Sequence, residues 1–425
     1  MRKGHLLLLT VSCLSMLGMG TSLAQAKKEV VKLNFWAHWL SAQRRPTIDK
    51  IINNWNAKNP NIQVEYTGIP FDQIINKTLA GVAAGNPPDV VVIDIRTSRF
   101  RAAKNQITDL SALGADKSAN LFFPNLYATG TYKGKQYALP FVTDTRMLFY
   151  NKKAFKEVGL DPNKAPKTWD DLWNYSNKLD KKDGDRYTRM GFHPNFGDYG
   201  YTGWVGNLQD TLFDKEFEDP RVNNANAVKA LEFMKKWTDR YGSQNYSSFK
   251  ASFGGAGQDE FMSGKVAMVV KNGNYITTLQ RNAPDMEWGM VAVPTPNGKP
   301  GNMTSWGGGF NLEIPRGTKH PKEAYAFARY LATEGAKIWA VEQNDLPASR
   351  TAQTANTNPL FKKLVGNMKY TFVMPAPVYA PTYETAVNKA VDDVILRGRS
   401  PKEALDEAQK TVEKIVQEGK RDFNK

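Results

Sequence analysis

Aromatic side chains that stand beside carboxylates and amides are the residues of this chain with the most specific chemistry. The polar groups are Asn34, Asp94, Asp144, Asn207, Asn272 and Asn274, and the rings are Trp36, Trp39, Tyr199, Tyr201, Trp204, Tyr275 and Trp306. A flat ring covers the apolar C–H face of a polyol, and Asp or Asn takes its hydroxyls in pairs. The pattern therefore indicates carbohydrate binding. Rings at helical spacing, such as Trp55, are predicted to be core, and that alternative stays open for each ring in a predicted loop.

Residues suited to covalent or metal-dependent chemistry are scarce. The histidines beyond the first segment are His38, His193 and His320, and the single cysteine lies within that segment. Nucleophile-elbow, zinc-protease and phosphate-loop motifs do not occur. No catalytic residue, metal site or cofactor is therefore predicted. A glycosidase-like carboxylate pair is the enzymatic alternative, open if Asp94 and Asp144 face one cleft.

The N-terminal segment has the layout of a cleaved export signal. A basic start (Arg2, Lys3) precedes a mostly apolar stretch, and small residues flank the position before Ala26. The apolar stretch is shorter than a membrane span requires. We expect residues 1–26 to be removed near Ala26 and the mature protein to be exported to the periplasm or the cell surface. Lipid attachment at Cys13 is the alternative.

The length and charge set further limits. The 425 residues suffice for two domains, and the formal net charge is +15. Lysine and arginine are scattered in pairs rather than in a basic run, so no nucleic-acid partner is predicted. The excess leaves open an acidic ligand or contact with an anionic membrane surface.

Strands and helices alternate in the first part of the chain, and these elements must position the polar and aromatic groups. Apolar patterns predict strands near 30–35, 62–66 and 89–94, with helices between them. Such alternation predicts a parallel sheet with helices on both faces and a ligand beyond the carboxyl ends of the strands. Trp36, His38, Trp39 and Asp94 would then share one rim, the first three in a loop. The glycine- and ring-rich stretch 191–207 is also predicted to be loop.

Residues 137–151 are predicted to carry the chain from one half of the molecule to the other. Two short apolar runs flank the polar connector 142–145, and Pro140 interrupts the first because it has no N–H to donate. A hinge of this kind would place the Asp144 carboxylate on the floor of a cleft. A buried turn without a ligand is the alternative.

Several stretches, in this order and at this spacing, carry a family resemblance. They are Asn86-Pro-Pro-Asp-Val-Val-Val-Ile-Asp94, Tyr137-Ala-Leu-Pro-Phe141, Leu148-Phe-Tyr-Asn-Lys152, Lys167-Thr-Trp-Asp-Asp-Leu172, Phe261-Met-Ser-Gly-Lys-Val-Ala-Met268, Trp306-Gly-Gly-Gly-Phe310 and Leu346-Pro-Ala-Ser-Arg350. Over nearly the whole mature length, the chain resembles the extracellular solute-binding proteins of bacterial ABC sugar importers, the group that includes maltodextrin-binding protein.

The resemblance implies an α/β, two-lobe periplasmic-binding-protein fold of type II, with parallel-rich sheets, flanking helices and three hinge crossings. It implies an N-terminal lobe of 27–142 plus about 291–345 and a C-terminal lobe of 143–290 plus about 346–425. The ligand contacts that it implies or supports are Trp36, His38, Trp39, Asp94, Asp144, Tyr201, Trp204, Asn207, Asn274, Tyr275, Trp306, Gly307, Gly308 and Arg350.

The implied function is reversible capture of a mono- or oligosaccharide between the lobes by a monomer, followed by delivery to the transmembrane subunits of an ABC permease. Tyr275 stands where many relatives have tryptophan, which suggests a different ligand geometry, so maltose is not assumed. Two alternatives stay open. One is a secreted carbohydrate-active enzyme, and the other is the same fold with a non-sugar solute such as a phosphate ester or an acidic sugar.

Overall fold

The computed structural model describes residues 29–214, 217–253 and 259–423. The predicted signal segment and Cys13 lie outside the described residues. In the described ranges, no helix combines the length and the apolar character needed to cross a bilayer.

Short strands and longer helices alternate along the described chain. The strands are β1 (Val31–Ala37), β2 (Ile62–Gly68), β3 (Val90–Asp94), β4 (Thr131–Tyr132), β5 (Lys135–Gln136), β6 (Ala138–Thr143), β7 (Arg146–Asn151), β8 (Lys181–Asp183), β9 (Arg186–Arg189), β10 (Met268–Asn272), β11 (Trp288–Ala292), β12 (Ser305–Trp306), β13 (Gly309–Glu313), β14 (Leu346–Pro347) and β15 (Thr371–Phe372).

The helices cover most of the remaining chain. They are α1 (Arg45–Lys58), α2 (Phe71–Ala83), α3 (Ser98–Ala103), α4 (Pro124–Tyr127), α5 (Lys152–Glu157), α6 (Trp169–Leu179), α7 (Gly200–Asn207), α8 (Ala225–Tyr241), α9 (Ser243–Ala251), α10 (Tyr275–Asn282), α11 (Pro321–Tyr330), α12 (Ala336–Gln343), α13 (Pro359–Asn367), α14 (Tyr383–Arg397) and α15 (Pro401–Phe423). A π-helical turn, Leu331–Gly335, joins α11 to α12.

The larger sheet has six strands in the order β14-β6-β13-β3-β1-β2. β1 lies parallel to β2 and β3, which confirms the predicted parallel part of the sheet. β13 runs antiparallel to both β3 and β6, and β14 runs antiparallel to β6. β3 is buried along almost its whole length, as expected for a central strand between covered faces.

The second sheet has three strands in the order β10-β7-β11. Both β10 and β11 pair antiparallel with β7, so the three strands differ in that respect from the parallel-rich expectation. α6 begins with a capping box, in which the Thr168 side chain and the Asp171 carboxylate each accept a backbone N–H.

The first passage between the sheets is the one that the sequence predicts. β6 belongs to the larger sheet and β7 to the smaller, and only Asp144 and Thr145 separate them. Pro140 stays within β6, opposite Asn311, and the register of the pairing shifts beside that position. The strand thus tolerates a residue without an N–H at an irregular point of the ladder.

The second passage lies later than predicted. The expected boundary near 291 falls inside β11, a strand of the smaller sheet. The chain reaches the larger sheet only at β13, after β12 has paired with β15. The third passage follows β14, the edge strand of the larger sheet, near the expected position 346.

The prediction of a loop over 191–207 is wrong for residues 200–207, which form α7. Glycine usually interrupts a helix. Gly203 and Gly206 instead allow neighbours to approach the helix, since a methyl group at these positions would come within 2.8 Å of the Tyr199 ring and 3.0 Å of a backbone oxygen of Met303, respectively.

Candidate ligand-binding site

An ion pair lies where the first passage leaves the larger sheet. Arg146, at the start of β7, donates from Nη1 to Asp144 Oδ1, and that oxygen also accepts the backbone N–H of Gly308 at 2.7 Å. The Arg146 guanidinium lies over the Trp306 indole, with Cζ 3.5 Å from the ring centroid. Three predicted site residues, Asp144, Trp306 and Gly308, are therefore brought together.

Gly307 makes this approach possible. A Cβ atom at Gly307 would lie 2.5 Å from the backbone oxygen of Asp144, and its N–H donates to the Phe372 carbonyl at 2.8 Å. The absence of a side chain at Gly307 therefore lets the two backbone segments come this close.

Trp306 also connects the passages to α7. Its Nε1–H donates to the Tyr199 carbonyl at 2.7 Å, and a methyl group at Gly203 would come within 2.9 Å of its ring. The indole is thus held by a hydrogen bond at its edge and a guanidinium on its face.

A cavity of about 300 Å³ opens beside Trp306. It lies between the segment after β3, the start of α7 and the start of α14, and its walls combine rings with charged groups: Tyr199, Tyr201, Trp306, Tyr383, Arg96, Asp198 and Glu384. This volume is at the lower end of the range of about 300–1,000 Å³ for small-molecule pockets.

The one arginine among these lining residues is already paired. Arg96 Nη2 lies 3.0 Å from Asp94 Oδ2, and its Nη1 lies 3.2 Å from Glu384 Oε1. Predicted site residue Asp94 is therefore neutralised by the arginine two residues further along the chain. The two lining carboxylates, Asp198 and Glu384, outnumber the one lining guanidinium.

Asp198 is the carboxylate with spare hydrogen-bonding capacity. Its Oδ2 accepts the backbone N–H and the side-chain amide of Asn272 at 3.0 and 2.9 Å. Its Oδ1 is buried and has no hydrogen-bond partner among the described residues. Burial raises the pKa of the Asp198 carboxyl above its usual value, and the nearby Arg146 charge opposes that rise.

His38 stands at the carboxyl end of β1 in a group of rings. Its centroid lies 4.3 Å from that of Phe310 and 5.3 Å from that of Phe71. Burial, helped by the Arg44 charge, lowers the pKa of His38 to about 4, so the ring is neutral near pH 7. Its Nδ1 is buried without a partner among the described residues.

Two of the predicted tryptophans lie in the core. Trp39 is 1% exposed and packs 4.3 Å from the Trp339 ring. Trp204 is fully buried, and its Nε1–H donates to the Pro194 carbonyl at 2.9 Å. Neither ring presents a face to the cavity, because hydrophobic burial rather than a ligand determines its position.

Trp36 lies in β1 rather than in the predicted loop, since the strand continues to Ala37. Its half-buried ring packs against the small apolar cluster of Ile69, Ile74, Val91 and Ile93. Strand alternation therefore directs it to the side of the sheet opposite Phe35.

The remaining predicted contacts hold other parts of the protein. Tyr275 is 7% exposed and donates its hydroxyl to Asp259 at 2.6 Å. The Tyr201 hydroxyl donates to the Ala227 carbonyl at 3.0 Å, although its ring lines the cavity. The other three residues are Asn207, buried against Trp169 and Thr304, Asn274, hydrogen-bonded to Asp345, and Arg350, exposed and bonded to the Phe122 carbonyl.

Sequence reasoning missed four charged groups, Arg96, Arg146, Asp198 and Glu384. One signal was available, because both predicted carboxylates are followed two residues later by arginine, in Asp94-Ile-Arg96 and Asp144-Thr-Arg146. In the described part of the chain, no group of three or more His, Cys, Asp or Glu side chains is arranged to hold a metal ion.

Comparisons with known proteins agree with this architecture. Residues 41–338 match the model of the family described as bacterial extracellular solute-binding protein. The sn-glycerol-3-phosphate-binding periplasmic protein UgpB of Shigella dysenteriae is 25% identical over 431 residues, which cover 93% of this chain and 94% of that protein.

Among solved structures, CpMnBP1 with mannotriose bound has a TM-score of 0.79 and 28% identity, covering 90% of this chain and all of that chain. UgpB of Mycobacterium tuberculosis in complex with glycerophosphocholine has a TM-score of 0.73 and 19% identity, covering 91% and 98%, and that likeness shows the fold alone. This chain therefore belongs to the family of bacterial extracellular solute-binding proteins and is the solute-binding component of an ABC importer.

Proposed function

We propose that this protein captures a neutral carbohydrate between its two sheets and delivers it to the permease of its importer. The observation that carries the proposal is the cavity itself, where ring faces stand beside Asp198, a carboxylate with one buried oxygen that lacks a partner among the described residues. A buried acceptor without a donor costs free energy, and a sugar hydroxyl supplies the donor.

Charge favours a neutral ligand over a phosphate ester. Arg96 is engaged by both Asp94 and Glu384, and Arg146 is engaged by Asp144 and stacked on Trp306. An anion would have to displace these carboxylates. UgpB, by its name, binds sn-glycerol-3-phosphate, and at 25% identity its ligand is the competing candidate for this chain.

The second part of the proposal is that the protein binds its ligand reversibly, without catalysis, by closing its two halves around it. Two halves follow the sheet membership better than a division at 291: residues 29–142 with about 309–347, and residues 143–308 with about 348–423. Arg281 Nη1 donates to Gln43 Oε1 at 2.7 Å, and this contact joins α10, which follows β10 of the smaller sheet, to the segment after β1 of the larger one. Ligand bridging the two halves would favour a closed arrangement, in which the monomer meets its permease.

A ligand screen tests the proposal. Purified protein lacking residues 1–26 is heated with mono- and oligosaccharides, acidic sugars and sn-glycerol 3-phosphate, and hits are measured by calorimetry. We expect neutral sugars to raise the melting temperature, because a ligand that binds only the folded state stabilises it. Binding of the phosphate ester alone would contradict the proposal, and chromatographic detection of a new product would indicate an enzyme.

The variant Asp198→Asn tests whether the sugar binds in the cavity beside Asp198. The amide keeps an acceptor for Asn272 but loses the charge, so we expect roughly 10–100-fold weaker sugar binding. Asp185→Asn, in an exposed turn, is the matched control and should bind normally. Equal affinity in both variants would remove Asp198 from the site.

A further inference from the structure

Three aromatic side chains cluster at the edge of the larger sheet, outside the cavity described above. His38 follows β1, Phe71 begins α2 directly after β2, and Phe310 lies in β13 opposite the end of β3. The Phe71 and Phe310 centroids are 6.1 Å apart, and His38 contacts both rings. We call these three residues the aromatic platform.

The platform is unusually exposed for an apolar group. Phe71 is 51% exposed, as is the adjacent Leu40, which lies against Gly68 at the end of β2. Among the described residues, five large hydrophobic side chains are exposed, and two of them lie here. An exposed apolar patch with a polar edge is typical of a binding surface.

The platform also contains a polar atom without a partner. His38 Nδ1 is buried and makes no hydrogen bond within the described chain. The imidazole is neutral near pH 7, since burial lowers the pKa of His38 to about 4. A neutral ring nitrogen can accept a hydrogen bond from a hydroxyl group or, in the other tautomer, donate one to it.

The platform adjoins the cavity through one strand pair. Phe310 is directly opposite Asp94, and residues opposite each other in antiparallel strands project to the same face of the sheet. Asp94 in turn pairs with Arg96, which lines the cavity. A ligand that fills the cavity can therefore extend over Asp94 onto the platform.

We propose that the aromatic platform of His38, Phe71 and Phe310 binds a further sugar ring, so that the transported ligand is at least a disaccharide. This inference rests on the proposed function. The first ring occupies the cavity beside Trp306 and Asp198, and the next ring stacks on Phe71 with a hydroxyl directed to His38. Flat apolar faces and one neutral nitrogen suit a pyranose ring better than a phosphate or a peptide carboxylate.

Calorimetry with sugars of increasing length tests this assignment. The ligands are mannose, mannobiose and mannotriose, and in parallel glucose, maltose and maltotriose. We expect the disaccharide of the accepted series to bind at least about tenfold more tightly than its monosaccharide, from one added stacking contact. Phe71→Ala should remove that gain, lowering disaccharide affinity about tenfold while changing monosaccharide affinity less than twofold.

Two further variants separate the loss of stacking from the loss of any exposed apolar side chain. Phe71→Tyr retains the stacking surface and should restore disaccharide binding, and Leu396→Ala removes an exposed apolar side chain at the end of α14 as the control. Since Phe71 is half exposed, its removal should leave the fold intact, as thermal melting will verify.

The outcomes are separable. If mono- and disaccharides bind equally, or if Phe71→Ala weakens both alike, the platform is not a subsite although the proposed function stands. If Phe71→Ala changes only the sedimentation of the protein, the patch is an interface between copies and the inference is overturned. If no saccharide binds, the proposed function fails, and this inference fails with it.

Discussion

Arg146 and Trp306, which lie 160 residues apart in the sequence, are stacked, with the guanidinium carbon 3.5 Å from the indole centroid. Arg146 belongs to the first passage between the sheets and Trp306 to the second. The contact therefore fixes the two passages to each other and sets the orientation of the ring that lines the cavity.

Replacing Arg146 should weaken ligand binding although Arg146 does not line the cavity, because it holds Trp306, which does. Arg146→Met removes the charge and the partner of Asp144, so we expect roughly tenfold weaker sugar binding and a loss of about 1–3 kcal/mol in unfolding free energy. Arg146→Lys keeps the charge without the planar stack and should give an intermediate affinity. Calorimetry and urea unfolding measure these effects. Lys156→Met, which breaks an exposed pair with Glu287, should change neither by more than a small amount.

The buried pair of Arg101 and Glu313 should be far more sensitive than a surface pair. Their two contacts are 2.6 and 2.7 Å, and the side chains are 4% and 0% exposed. Arg101→Met leaves a buried unpaired carboxylate, so we expect a loss of about 3–5 kcal/mol, measured by urea unfolding. Arg45→Met, which breaks an exposed pair with Asp49, should cost less than about 1 kcal/mol. Recovery in the double variant Arg101→Met/Glu313→Met would attribute the loss to the orphaned charge, and an equal or larger loss would contradict this account.

Acid should destabilise the protein through two histidines. Burial lowers the pKa of His38 to about 4 and that of His193 to about 3, against about 6.5 in the unfolded chain. The unfolded state therefore takes up protons first, and the stability present above pH 6.5 falls as the pH drops from 6.5 toward 4 for His38 and toward 3 for His193. Each ring contributes a slope of up to about 1.4 kcal/mol per pH unit. Urea unfolding from pH 4 to 8 should show a shallower slope in His193→Gln, with His320→Gln as the control.

Gly307 should not accept even a methyl group. Gly307→Ala places Cβ 2.5 Å from a backbone oxygen of Asp144, so we expect a loss of about 1–3 kcal/mol and weaker sugar binding as the second passage shifts. Gly366→Ala is the matched control, because nothing lies within 4 Å of its Cβ position in α13 and alanine favours a helix by about 0.5–1 kcal/mol. The melting temperature should fall for Gly307→Ala and rise for Gly366→Ala. An unchanged melting temperature for Gly307→Ala would show that the backbone segments at Gly307 and Asp144 move apart at little cost.

Local sequence patterns were sufficient for the parts of the fold that depend on neighbouring residues. Pro46 and the apolar spacing of Ile48, Ile51 and Ile52 define α1, and Thr168 with Asp171 defines the start of α6. The first passage was also predictable, since two apolar runs flank the polar Asp144-Thr145 connector.

The predicted site was less complete because side-chain partners are set by tertiary contacts. The sequence cannot distinguish the buried indole of Trp204 from that of Trp306, which lines a cavity, since both stand beside glycine and polar residues. Asp198 and Glu384 lie 186 positions apart and meet only through the fold. The arginines after Asp94 and Asp144 could have been recognised, because a cation two residues from a carboxylate is close enough along the chain to pair with it, as both do here.

The neighbouring strands β14, β6 and β13 each adjoin one of the three passages. Because the three connections lie side by side, the two halves can bend about the line that joins them. Twisting one half against the other would instead stretch the outer connections. We therefore expect the two halves to move mainly by bending about this line. A pair of spin labels near Gln43 and Arg281, which are hydrogen-bonded across the two halves, would measure that bending as one distance.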